Sequence, residues 1–94
     1  MRIRRIVLDV DKGIQRPDIV DVAVQVEKVT GVEAVNITVT EIDIETVGMD
    51  VTVEGDGIDW PGLVKAIEGT GAMVHSVDQL VSGTRIIEGI KRSR

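Results

Sequence analysis

The sequence predicts an α+β domain, a four-stranded antiparallel sheet with two helices on one of its faces. Three observations predict it. The apolar residues are mostly Val and Ile, β-branched side chains that favour strands and pack stiffly, with only Leu8, Leu63 and Leu80 as leucines. Two stretches repeat each other, "RPDIV…VTGVEAV" and "WPGLV…GTGAMV", each a proline, an apolar pair and a Thr-Gly followed by small or β-branched residues. Strand-like runs flank both copies, so the element order reads βαββαβ.

The first strand is predicted over Ile3–Val10. Ile6, Leu8 and Val10 alternate onto the face that the helices cover, which turns Asp9 and Asp11 to the open face together with Ile3 and Val7. The first helix is predicted over Pro17–Val29, between a proline that opens it and Gly31 that ends it. Val20, Val22, Val24 and Val26 also alternate as a strand would, but Ile19, Val22, Ala23, Val26 and Val29 follow helical spacing, and the proline-to-glycine frame decides for helix. Val20 and Val24 are left on a second flank.

The second strand, Val32–Ile44, changes phase. Val35, Ile37 and Val39 put apolar side chains at odd positions and Ile42 and Ile44 at even ones, so a bulge is expected at Thr40-Glu41. With the extra residue opposite Thr52, Val39 pairs with Val53, Ile42 with Val51 and Ile44 with Met49, and the turn runs from Glu45 to Gly48. In that register Asp43 lies across from Asp50. The third strand is Met49–Glu54. The second helix, Pro61–Gly69, has Asp59 as its N-cap, Trp60 as a wedge or an interface anchor, and Gly71 at its end. The fourth strand is Met73–Val81, and apolar residues on both of its faces leave the orientation of His75 undecided. Right-handed crossovers in each βαβ half give the sheet order 4-1-3-2 with both helices on one face, the ferredoxin-like plait. Residues 1–94 form a single domain, with about 86–94 expected to be a frayed tail.

The stretch "GVEAVNITV" resembles the Gly-Val-x-x-Val strand of small heavy-metal-associated domains. Those domains hold copper or zinc through a Cys-x-x-Cys in the first loop. That loop here reads "KGIQR", so their metal chemistry does not carry over. More closely, "RRIVLDVDKG", "GVEAVNITVTEIDIET", "VTVEGDGIDW" and "HSVDQLVSG" resemble an archaeal family of short domains of unknown function, number two-eleven, over almost the whole chain. The resemblance implies a ferredoxin-like fold and a tendency toward ring-shaped homo-oligomers, and no activity whose residues could be transferred.

The strand register gathers carboxylates at one end of the open face. Asp9, Asp11, Asp43 and Asp50 converge there from three strands, with Glu41 at the bulge, Glu45 at the turn, and His75 at hand if it points outward. Only Lys12 and Arg16 bring positive charge near. Clustered carboxylate oxygens suit hard divalent cations, so a Ca2+ or Mg2+ site is one reading. A second is neutralisation by a neighbouring subunit's Arg2, Arg4 and Arg5, and a third is a solvated acidic face. An effector-sensing module, taking a small molecule where subunits meet, is the alternative to a cation-binding homo-oligomer and rests on fold analogy.

Composition narrows the rest. The 94 residues carry a formal charge of −5, one tryptophan, and no phenylalanine, tyrosine or cysteine. An acidic chain is not expected to take nucleic acid as its main partner, and the basic end "KRSR" (Lys91 to Arg94) reads as a solubilising tail. The lack of cysteine excludes thiolate metal sites and disulfides, and no apolar run reaches the ~20 residues that cross a bilayer, so a soluble, cytoplasmic protein is expected. Catalysis is not expected. There is no thiol nucleophile, Ser76 should point away from its neighbour His75 in a strand, the glycines match no phosphate loop, and one aromatic residue is little with which to line a pocket.

Overall fold

The computed structural model describes residues 1–90. The elements follow in the expected order: β1 (Ile3–Gly13), α1 (Ile19–Glu27), β2 (Val32–Ile42), β3 (Thr46–Gly55), α2 (Trp60–Gly69) and β4 (Met73–Ser82). The strands form one antiparallel sheet of order β2-β3-β1-β4, the plait read from the sequence. No helix among the described residues is long and apolar enough to cross a membrane. After β4 the chain runs on to Ile90 without regular secondary structure. The basic end Lys91 to Arg94 lies outside the described residues.

The core is the layer between helices and sheet. Leu8, Val10, Met49, Val51 and Val53 from the two central strands are completely buried, as are Val22 and Val26 of α1 and Leu63 and Ile67 of α2. These positions recur every second residue in the strands and every fourth in the helices, so each element buries one face. Val20 and Val24 stay exposed on the second flank of α1.

Local chemistry sets the helix ends. Pro17 does not open α1. It precedes the N-cap Asp18, whose Oδ1 accepts from Val20 N at 3.1 Å while Asp21 Oδ2 accepts from Asp18 N at 3.3 Å, a reciprocal capping box. The helix closes at Lys28, earlier than the glycine frame suggested, and a turn with Val32 N donating to Val29 O carries the chain through Gly31. In α2 Asp59 is the N-cap as expected, accepting from Gly62 N at 3.2 Å, and Gly71 at φ 104° follows the C-cap Thr70.

Strand pairing corrects the sequence reading in three places. The bulge in β2 exists, between Val39 and Glu41, but Val39 pairs with Met49, Glu41 with Gly48 and Ile42 with Val47. The hairpin is therefore shorter than expected: Asp43 N donates to Thr46 O at 2.8 Å, and β3 begins at Thr46. Val47, which the sequence reading left in the turn, is buried, whereas Ile42 and Ile44 are 73% and 90% exposed. Burying Val47 in phase with Met49, Val51 and Val53 outweighs burying two isoleucines beyond the helices' reach. In β1 the register against β4 slips between Ile3 and Arg5, which places Ile3 in the core and not on the open face. In β4 a further slip leaves His75 as the extra residue between Ser76, paired with Asp9, and Val74, paired with Val10.

Candidate functional site

The open face of the sheet carries two cross-strand rows at its β1 C-terminal end. In one row Thr38, Asp50, Asp9 and Ser76 come from β2, β3, β1 and β4. In the next stand Glu41, Gly48 and Asp11. Directly paired residues of an antiparallel ladder point to the same side, so these side chains share the face away from the helices. Gly48 is the low point. A Cβ at that position would sit 3.6 Å from Glu41 Cβ and 3.7 Å from Asp11 Oδ1, so its missing side chain leaves a hollow between two carboxylates. The hollow measures about 350 Å3 and is lined by Asp9, Asp11, Glu41, Asp50 and Asp78, with Thr40 and Thr46 at its rim.

Four of the sequence-derived candidates thus meet: Asp9, Asp11, Asp50 and Glu41. The others do not line the hollow. Asp43 lies at the hairpin turn, where its Oδ1 accepts from Ile44 N at 2.8 Å, and the shorter hairpin puts Thr38, not Asp43, across from Asp50. Glu45 is exposed on the same turn. His75 points outward beside the hollow, with Nδ1 3.9 Å from Asp11 Oδ2. Sequence reasoning missed Asp78 and Gly48. Asp78 enters because it is the extra residue of another slip in β4, between Gln79 and Val77, and its Oδ1 accepts from Ser76 Oγ at 2.7 Å. Gly48 was hidden because the sequence reading put it in the hairpin turn, where a glycine is expected; it falls inside a strand, where it marks close approach or a missing wall, only once β3 begins at Thr46.

Among the described residues no Lys or Arg pairs with a carboxylate of this patch, and His75 beside Asp11 is the basic ring nearest to it. No basic side chain lines the hollow among the described residues. Lys12 lies on the helix side of β1, paired with Val47, and its amine donates to the carbonyls of Gly13 and Ile14. Arg16 lines a different hollow, between the helices. The arginines at the far end of β1 are used within the chain: Arg2 forms a two-pronged pair with Asp56, Arg4 donates to Gly55 O and Thr84 O, and Arg5 bridges Glu54 and Glu88. A neighbour's Arg2, Arg4 or Arg5 would meet the acidic patch while already holding partners of its own.

Chemically the patch offers hard oxygen donors and no activated nucleophile. The slip at His75 brings His75 and Ser76 to the same face, contrary to the simple strand alternation, but no hydrogen bond joins them, and Ser76 Oγ is engaged by Asp78. Among the described residues no three Asp, Glu or His side chains approach closely enough to hold a metal ion by themselves. A cation here would keep part of its water shell, or take further ligands from outside the chain.

Comparison with known proteins gives a family and a relative. The model of the family DUF211, described as "Uncharacterized ArCR", matches residues 4–94. An uncharacterized protein of Methanocaldococcus jannaschii, MJ0319, is 43% identical over 89 residues, which cover 95% of this chain and 91% of that protein.

Proposed function

Since the chain belongs to the archaeal DUF211 family, whose description carries no activity, the functional reading starts from the acidic hollow. We propose that this is a cytoplasmic, non-catalytic domain that self-associates into a ring and takes up a divalent cation, Ca2+ or Mg2+, at the acidic end of the open sheet face. One observation carries the proposal: five carboxylates from four strands surround a hollow floored by Gly48, with no basic side chain of the described chain among them. Like charges on facing strands are destabilising, and a hard cation relieves them. Asp9, Asp11, Glu41, Asp50 and Asp78 supply oxygens through the ion's retained waters, and a second copy of the chain supplies the remaining ligands.

Self-association draws support from the apolar surface left outside the core. Val20 on α1 is 62% exposed, Ile42 and Ile44 crown the β2–β3 hairpin, and β2 is an edge strand of 11 residues without lysine or proline. These patches differ from one another, so contacts between them are head-to-tail and close into a ring when the rotation permits.

The test is light scattering together with thermal melting, under chelator and then with rising Ca2+, Mg2+ or Zn2+. A cation that binds only the folded protein raises stability by about 2.7 kcal/mol at a hundredfold excess over its Kd. Ca2+ or Mg2+ should raise Tm with concentration, and the mass should be a multiple of the chain's. No rise at millimolar cation, with a monomeric mass, would overturn the reading.

A further inference from the structure

On the opposite side of the sheet a second hollow, of about 790 Å3, opens between α1, α2 and the β1–α1 connection. Its size is within the range of small-molecule sites, roughly 300–1,000 Å3. Charges of both signs face it: Arg16 from the connection, Lys65 from α2, Asp18 and Asp21 from the first turn of α1. Among the described residues none of the four makes an ion pair, although all border the same space.

The carboxylates are already engaged in capping the helix. Asp18 Oδ1 caps Val20 N, and Asp21 Oδ2 accepts from Asp18 N, so each side chain is tied to the backbone by one oxygen, while the other oxygen makes no hydrogen bond among the described residues. Arg2, Arg4, Arg5 and Lys12 have hydrogen-bond acceptors within the chain, whereas Arg16 and Lys65 make no hydrogen bond among the described residues. Val24, 43% exposed, supplies an apolar wall, and Gln25 an amide. A pure anion entering this hollow meets Asp18 and Asp21, a pure cation meets Arg16 and Lys65, and a neutral molecule answers neither. A ligand with a carboxylate at one end and an ammonium at the other answers both through charge-assisted hydrogen bonds.

We infer that the hollow between the helices binds an amino-acid-like zwitterion, its carboxylate on Arg16 and Lys65 and its ammonium on the oxygens of Asp18 and Asp21 that the helix cap leaves free. The site is complete within one chain and needs neither a subunit boundary nor the cation site across the sheet.

The test uses the full chain in chelator, so that the outcome bears on this hollow alone, and follows amide chemical shifts during titration. The probes are L-leucine and L-glutamine, their N-acetyl derivatives, which keep only the carboxylate, and their methyl esters, which keep only the ammonium. At least one free amino acid should shift the amides of the α1 first turn and of α2 around Lys65, with each single-ended derivative about tenfold weaker or worse. Lys65→Gln and Arg16→Gln should weaken the amino acid by a similar factor and leave Tm in its absence unchanged, since neither side chain holds a hydrogen bond in the chain. The inference is overturned if neither amino acid shifts these amides at millimolar concentration. It is equally overturned if a derivative binds as well as its parent, or if the Arg16→Gln, Lys65→Gln double variant binds as well as the wild type.

Discussion

Asp9 and Asp50 stand directly opposite each other on β1 and β3, both on the open face of the sheet. Two like charges in that relation cost the fold about 0.2–1 kcal/mol. Under chelator, Asp50→Asn should therefore raise stability by roughly that amount, measured by denaturant or thermal unfolding. With saturating Ca2+ or Mg2+ the same variant should gain less from the ion than the wild type does. An Asp50→Asn protein that is less stable under chelator would show that the pair is already compensated.

Gly48 provides the complementary test, because it removes room instead of charge. A methyl group there meets Glu41 Cβ and Thr40 Oγ1 at 3.6 Å, ordinary contact distances, and the position has no left-handed backbone to protect. Gly48→Ala should fold with equal or slightly greater stability, since alanine loses less chain entropy in a strand than glycine, by about 0.5–1 kcal/mol. It should also shrink the hollow and reduce the cation-induced rise in Tm. An unchanged response to Ca2+ and Mg2+ would place the ion elsewhere.

The fold was legible because its signals are local and repeated. The two Pro-to-Thr-Gly frames, the Asp59 N-cap and the alternation of Ile6, Leu8 and Val10 each follow from near neighbours in sequence. The acidic end was legible in outline for the same reason: alternation in β1 alone sends Asp9 and Asp11 outward, and strand order alone brings Asp50 beside them. What could not be read was register at irregular points. The bulge at Thr40 was visible as a phase slip, but its pairing depends on where the hairpin closes, and that was decided by Val47 reaching the core. The slips that turned Ile3 inward and brought His75 and Asp78 to the open face lie between β1 and the edge strand β4. There only one neighbouring strand constrains the register. The phase changes are present in the sequence, from Ile3 to Ile6 in β1 and from Val74 to Val77 to Leu80 in β4, but Val7, Met73 and Val81 put apolar residues on the other face as well and hide where each slip falls.

The pair Arg2–Asp56 makes stability fall in acid. Its carboxyl is held below the ordinary aspartate value, first by the hydrogen bond from Arg2 and then by the charges of Arg2 and Arg4, with desolvation opposing. A folded-state value below the unfolded one means stability that is fully present above the unfolded carboxyl's pKa and is lost as pH falls through the folded value. Asp56→Asn removes this contribution. The Tm difference between wild type and Asp56→Asn should be largest at neutral pH and close as pH falls below the usual carboxylate range, and it should shrink in high salt because the pair is exposed. A gap constant across the acid range would show that Asp56 stabilises the fold by some means other than its charge.

The hairpin register itself can be measured through two apolar residues three positions apart. Val47 is 6% exposed and belongs to the main core, whereas Ile44 at the turn is 90% exposed. Val47→Ala removes buried methyl groups and should cost about 1–3 kcal/mol. For a domain of this size that lowers Tm by roughly 4–8 °C per kcal/mol. Ile44→Ala touches nothing in the core and should stay within about 0.5 kcal/mol of the wild type. The alternative register, with Ile44 paired to Met49 and Val47 in the turn, reverses the order of the two costs. Because the same four-residue displacement would move Asp43 opposite Asp50 and draw Glu41 away from Gly48, the two alanine variants also decide which carboxylates share the hollow. A larger loss at Ile44 than at Val47 would dissolve the acidic site as described.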